Sequence, residues 1–142
     1  MNTITQNPSP TAAQSNLDAR DVLALGARVL LAAIFVLSGL TKLSAVDGTI
    51  GYIASAGLPM AEAIYYAVVA LEIIGGIMLI AGYKTRSVAL ALGAFSILAG
   101  ALFHNDFADQ NQMIHFLKNL ALAGGMFQVA AFGPGRLSLD RD

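Results

Sequence analysis

The stretch from Ala63 to Gly82 is apolar throughout except for one charged residue, Glu72, at its middle. As a helix it advances about 1.5 Å per residue and so reaches about 30 Å, the thickness of the hydrocarbon core of a bilayer. A charged side chain at mid-depth in lipid costs at least about 2.5–3.5 kcal/mol, so it turns to the protein interior and needs a partner. This run therefore asks for a membrane around the chain and a companion for Glu72.

Three more apolar runs accompany it, so that four span candidates cover about Val22–Leu43, Met60–Ala81, Ser87–Phe103 and Met113–Phe132. The third lies near the short limit of about 17 residues for a spanning helix. In lipid only helices and closed barrels satisfy the backbone, and continuous apolar runs with no alternation exclude a barrel. With 56% hydrophobic and only 12% charged residues in 142, the chain is too apolar for an ordinary soluble domain. The fold class expected is all-α, a membrane-embedded four-helix bundle. Residues 1–20, polar and rich in turn formers such as Pro8 and Pro10, read as a disordered N-terminal tail without the pattern of a cleaved signal peptide. Residues 21–135 form the helical domain, with helices at about 22–43, 60–81, 87–103 and 113–132, and residues 136–142 a C-terminal tail.

Basic residues set the orientation. Arg20, Lys84, Arg86, Arg136 and Arg141 fall on one side of an even number of spans, whereas Lys42 stands on the other with Asp47, Glu62, Asp106 and Asp109. Positive charge stays inside, which places both termini in the cytoplasm and makes this a multi-pass protein. The connection Ser44–Pro59 is long and half apolar. Ile50, Ile53 and Ala54 recur at helical spacing, which fits a short helix in the outer interface or an ordered lid over the end of the bundle.

The chain has no cysteine, which excludes thiolate chemistry, iron–sulfur clusters and thiolate zinc sites. His104 and His115 are its only histidines, and they stand in no cluster with metal-ligand spacing, so no metal is expected. A net charge of −1 gives no ground for a nucleic-acid partner.

Helical phase brings polar residues onto inward faces. Arg28, Phe35 and Lys42, at steps of seven with Ala32 and Gly39 beside them, form one stripe on the first span. Glu72 shares its face with Gly75 and Gly76 on the second, Gly93, Ser96, Gly100 and His104 lie together on the third, and His115, Lys118, Asn119 and Leu122 on the fourth. By rise per residue, Arg28 approaches Glu72 from the cytoplasmic side and Lys118 from the outer side. Glu72 is therefore expected to pair with Arg28, Lys118 or both, as a ligand or proton site or as interhelical glue. His104 and His115 fall near the outer interface, where they could face each other. Hydrogen bonding to carbonyls or headgroups is the expectation there, ahead of a haem held by both rings.

These residues fall in an order that resembles the DoxX family of small four-helix membrane proteins. The resemblance rests on Arg28, Ser38-Gly39-Leu40-Thr41-Lys42, Glu72-Ile73-Ile74-Gly75-Gly76, Gly82-Tyr83-Lys84-Thr85-Arg86, His104 and Lys118-Asn119-Leu120-Ala121-Leu122-Ala123-Gly124-Gly125. Gly133-Pro134-Gly135-Arg136 with Ser138 and Asp140 closes the set. It implies a protein of the bacterial inner membrane, and for some relatives a membrane subunit of an oxidoreductase that passes electrons to quinone. Three functional expectations follow. The first is a membrane subunit of a redox complex that binds quinone between its helices, where Lys118, Asn119, His115 or Arg28 serves a quinone carbonyl and partner subunits supply the electrons. The second is a small-solute or proton carrier in which Glu72 titrates and the chain forms a homo-oligomer. The third is a non-catalytic scaffold for a membrane complex. Catalysis by this chain alone is not expected, since it carries no nucleophile–base pair and no nucleotide fingerprint.

Overall fold

The computed structural model describes residues 17–140, so the disordered tail expected over residues 1–20 lies, up to residue 16, outside the described residues. The described chain is all-α. Its helices are α1 (Ala19–Ser44), α2 (Val46–Ser55), α3 (Ala61–Ala81), α4 (Thr85–Phe103) and α5 (Gln110–Phe132). Among the described residues α1, α3 and α4 are long and apolar enough to cross a membrane. The helix expected as a fourth span, α5, falls short of that measure because Gln110, Asn111, Gln112, His115, Lys118 and Asn119 crowd its first half.

Caps set the helix ends beyond the apolar runs. α1 starts at Ala19, three residues before the expected Val22, because the Asp18 carboxylate accepts from the amides of Arg20 and Asp21 at 2.6 and 3.2 Å. Asp21 answers by accepting from the Asp18 amide at 3.3 Å, a reciprocal capping box. α5 starts at Gln110 rather than Met113 for the same reason: Asp109 accepts from the amides of Asn111 and Gln112 at 2.7 and 3.2 Å. The long connection holds α2, a helix of ten residues.

α1 packs along α3 and α4 along α5, and the two pairs meet less closely through α3 against α4 and α1 against α5. Small residues set the close approach. A Cβ on Gly76 would stand 2.6 Å from Val36 Cγ2 and 3.4 Å from the Ala32 carbonyl, and one on Gly39 would stand 2.6 Å from Ile73 Cγ1. Between α4 and α5, Gly93 faces Phe127 and Gly100 faces Asn119. The expected α1 stripe is buried at Arg28, Ala32, Phe35 and Gly39. One core cluster joins Ala32, Phe35, Leu79, Val88, Ala89, Leu92 and Met126, and a smaller one at the α2 end joins Ile53, Tyr65 and Val69.

At the opposite end, residues 133–140 form a strap across the helix termini. Pro134 is fully buried. The Leu139 and Asp140 amides donate to the carbonyls of Ala81 and Gly82 at 3.1 and 2.7 Å. The Asp140 carboxylate accepts from the amides of Lys84 and Thr85 at 2.7 and 2.8 Å and so caps α4 from the far end of the chain. Gly82 ends α3 at φ 69°, a conformation that costs glycine little, and a Cβ there would collide with Arg28 and Ser138. On the other side of the strap, Asp21 accepts from the Arg136 amide at 3.2 Å, with the Arg136 guanidinium 3.8 Å from its carboxylate.

Candidate functional site

Glu72 is buried, with Lys42 Nζ 2.9 Å from both of its carboxylate oxygens. Ser38 Oγ donates to Glu72 Oε1 at 3.2 Å and accepts from Lys42 Nζ at 2.6 Å, closing a triangle. The expected pairing with Arg28 or Lys118 is therefore corrected: Glu72 is bound by Lys42 and Ser38. The reason is the direction in which helical side chains leave the backbone. Each Cα–Cβ bond tilts toward its own N-terminus. Lys42, near the C-terminal end of α1, leans back along the stripe over Ser38, and Glu72 on the antiparallel α3 leans toward it. Arg28 leans the same way along α1, which from its lower position carries it away from Glu72 and toward the strap.

There Arg28, only 1% exposed, does different work. Its guanidinium donates to the carbonyls of Leu79 and Ile80 at 3.2 and 3.0 Å, and to that of Leu137 in the strap. It adds to the Gly82 amide at the Leu79 carbonyl, serves the Ile80 carbonyl in the last turn of α3, and ties α1 to α3 and to the strap.

A cavity of about 290 Å³ lies between the two helix pairs under α2. It collects Lys42, Glu72, His104, His115, Lys118 and Asn119, whereas Arg28 lies outside it. Lys42, Glu72 and Ser38 come from the α1/α3 pair, and His104, His115, Lys118 and Asn119 from the α4/α5 pair. Phe35, Phe95, Phe103 and Tyr52 give it aromatic walls, and Ile34, Ile53, Ile64, Val68, Ala99 and Leu122 complete a lining that is mostly apolar.

The two histidine rings stack with centroids 5.0 Å apart, and His104 Nδ1 lies 2.8 Å from Gln112 Oε1. Asn119 donates to the His115 carbonyl at 3.0 Å, one turn back on its own helix. Lys118 is exposed and makes no hydrogen bond or ion pair with another described residue. Ser38, Thr49, Tyr52 and Gln112 were not among the candidates. Ser38 stands four residues before Lys42, so the helical step and the lean of the lysine were the available signal. Tyr52 reaches the site because α2 folds over the cavity, where its ring stacks on Phe103 with centroids 5.1 Å apart.

A family model described as DoxX matches residues 23–105, more than half of the chain. The chain belongs to the DoxX family. The match runs from α1 through α4, so that His115, Lys118 and Asn119 on α5 lie beyond it. Likeness to individual relatives extends further. This DoxX protein is 36% identical over 121 residues to Inner membrane protein YqjF of Escherichia coli (strain K12), covering 85% of this chain and 92% of that relative. It is 36% identical over 129 residues to Inner membrane protein YphA of the same organism, with 87% and 91% covered. A shorter stretch of 63 residues, 44% of this chain and 46% of the relative, is 40% identical to CatD of Bacillus subtilis (strain 168), whose name carries an oxidoreductase assignment that is itself only proposed. No solved structure matches. With inner membrane relatives along most of its length and three helices fit to span, this DoxX protein is a multi-pass protein of the bacterial inner membrane.

Proposed function

We propose that this protein is a membrane subunit of a redox assembly and that the cavity between its helix pairs holds the ring of a quinone. The observation that carries the reading is the cavity itself: apolar and aromatic walls with polar groups arriving from both helix pairs. Ligand cavities commonly measure about 300–1,000 Å³, so this one suits a single ring system, with any isoprenoid chain left in the lipid. Lys118, the His115 ring and the second N–H of Asn119 are donors for a quinone carbonyl on one wall, and the Lys42–Glu72 pair stands on the other. Electrons come from a partner subunit, since the cysteine-free chain offers no iron–sulfur ligands.

The topology that goes with this reading is a four-helix bundle of α1, α3, α4 and α5 with both termini in the cytoplasm. Arg20, Lys84, Arg86 and Arg136 belong to the strap end, and Lys42 stands toward the α2 end with Asp47, Glu62, Asp106 and Asp109. α5 counts as a span because His115, Lys118 and Asn119, which lower its hydropathy, line the cavity.

The experiment is purification of the full-length protein in mild detergent, followed by mass spectrometry of its lipid extract and identification of co-purifying proteins. Quinone in the extract, lost when Ala99→Phe fills the cavity without lowering the melting temperature, supports the reading. A quinone-free extract together with no thermal response to added 1,4-naphthoquinone overturns it. The buried carboxylate with its counter-ion also favours a second reading, a proton or small-solute carrier built from several copies. That reading predicts flux in proteoliposomes that stops in Glu72→Gln. A pure scaffold shows neither ligand nor flux.

A further inference from the structure

The charges in the cavity narrow its ligand further, on the reading that it holds a quinone-like ring. Its charged side chains are two lysines and one glutamate, Lys42, Lys118 and Glu72. Lys42 and Glu72 lie 2.9 Å apart and cancel. Lys118 is left over, and its ammonium meets no carboxylate or carbonyl among the described residues. The other titratable groups around the cavity do not balance it. His104, on the Gln112 side chain, and His115, stacked on His104, are neutral or positive, and the Tyr52 hydroxyl points at the Phe103 carbonyl at 3.5 Å. One positive charge therefore remains in an apolar chamber, and Lys118 is exposed and open to an incoming ligand.

We propose that the cavity selects flat rings bearing an acidic oxygen, an enolate or phenolate, over neutral quinones of the same size, and that Lys118 is the residue that selects them. A full negative charge on the ring oxygen converts a neutral hydrogen bond into a charge-assisted one, which is roughly twice as strong. Lys118 is exposed, so water screens part of the attraction, while the apolar walls on the other sides of the ring screen it less than bulk water would. A neutral carbonyl leaves the ammonium uncompensated. Lys118 thus acts as a specificity determinant, and the Lys42–Glu72 pair, already internally neutral, does not compete for the anion.

The test uses the full-length protein in nanodiscs of neutral lipid and two probes that differ by one hydroxyl: 1,4-naphthoquinone, and 2-hydroxy-1,4-naphthoquinone, which is ionised at neutral pH. Binding is read by isothermal titration and by thermal shift. The hydroxy probe is expected to bind about tenfold tighter or more, equivalent to about 1.4 kcal/mol. Lys118→Gln is expected to erase that preference by weakening the hydroxy probe about tenfold more than 1,4-naphthoquinone, and Lys118→Arg to restore it, since arginine keeps the charge. Equal affinity for the two probes in the unaltered protein overturns the selection but leaves the cavity reading standing. A preference that survives in Lys118→Gln overturns the role of Lys118. Failure of both probes to bind overturns the quinone-ring reading and this inference with it. Should Lys118→Gln not fold, the comparison of the two probes on the unaltered protein and on Lys118→Arg still decides.

Discussion

Replacing Lys42 with Met removes the ammonium and leaves the Glu72 carboxylate buried with one hydroxyl, that of Ser38, as partner. Two unit charges about 4 Å apart attract by about 4 kcal/mol at the effective dielectric that suits protein sites, and breaking a buried pair by deleting one member costs about 3–5 kcal/mol. The Lys42 side chain is 25% exposed, so water screens part of the attraction. Lys42→Met should therefore lose about 2–4 kcal/mol. Glu72→Met should lose less, about 1–2 kcal/mol, because the freed ammonium keeps Ser38 at 2.6 Å and reaches water through its exposed quarter. The double substitution should fall within about 1 kcal/mol of the unaltered protein, since apolar replacement of a buried pair is commonly near neutral. The measurement is reversible unfolding of all four proteins in detergent, read also as melting temperature. For chains of about this size 1 kcal/mol moves the midpoint by about 2–4 °C, so Lys42→Met should melt about 4–16 °C lower. A double variant as unstable as the sum of the two singles would refute the reasoning. The same cycle run on Arg28 and Glu72 should show simple additivity, because those residues share no partner.

Arg28→Met should cost about 2–4 kcal/mol by taking the guanidinium from the carbonyls of Ile80 and Leu137 and leaving that of Leu79 with the Gly82 amide alone, and trypsin should then cut faster at Arg136 in the loosened strap. Asp140 gives the strap a pH dependence: the hydrogen bond from the Thr85 amide above all, then that from the Lys84 amide and the charge of Arg28, outweigh partial burial and hold its carboxyl below the ordinary value of 3.8. Because the folded value is the lower one, its stabilisation is complete above 3.8 and fades as pH falls through that lower value. Hydrogen exchange of the strap amides should follow that course, and Asp140→Asn should cost about 1 kcal/mol and remove the dependence. Gly76→Ala should destabilise by about 1–3 kcal/mol through contact with Val36, whereas Gly26→Ala, which meets nothing within 4 Å, should stabilise by up to about 1 kcal/mol. A Gly76→Ala variant that melts no lower than the unaltered protein would refute the close α1/α3 contact.

The apolar runs and the phase of the α1 stripe were legible in the sequence because burial on a helix repeats along the chain. The end of α4 was not, since its cap is Asp140, which lies far along the chain from Lys84 and reaches it only once the strap has folded back. The partner of Glu72 was misread because rise per residue gives depth but not direction. Lys42 lies higher on α1 than Arg28 by two steps of seven, yet it is the residue that leans toward Glu72. The cavity could not be read at all from spacing. It arises from the looser meeting of two tight helix pairs and from α2 lying across them, and both are tertiary facts.

The two ends of the molecule are held differently, and this bears on how a ligand reaches the cavity. At the strap end Arg28 joins α1 to α3 and the strap, Asp140 joins the strap to α4, and Arg86 donates to the carbonyls of Ala130 and Ala131 at 3.1 and 3.0 Å, joining α4 to α5. Every long helix is tied there. At the α2 end α2 packs on α3 and α1, and its tie to α4 is the Tyr52 ring on Phe103, with a long hydroxyl bond of 3.5 Å to the Phe103 carbonyl. Opening at this end sacrifices the Tyr52–Phe103 pair, worth about 0.5–1.5 kcal/mol, and the burial of Ile53 against Tyr65 and Val69, worth about 1.5–3 kcal/mol, whereas opening at the strap end breaks a set of charge-assisted bonds tied to every long helix. Access to the cavity should therefore come by displacement of α2, with the strap as the fixed end. Hydrogen exchange in nanodiscs should show α2 amides exchanging well before those of the strap, and a bound ring should slow α2 while leaving the strap unchanged. Tyr52→Ala should speed α2 exchange about tenfold at the upper end of the aromatic pair's energy. Faster exchange in the strap than in α2 would show that the hinge is at the wrong end.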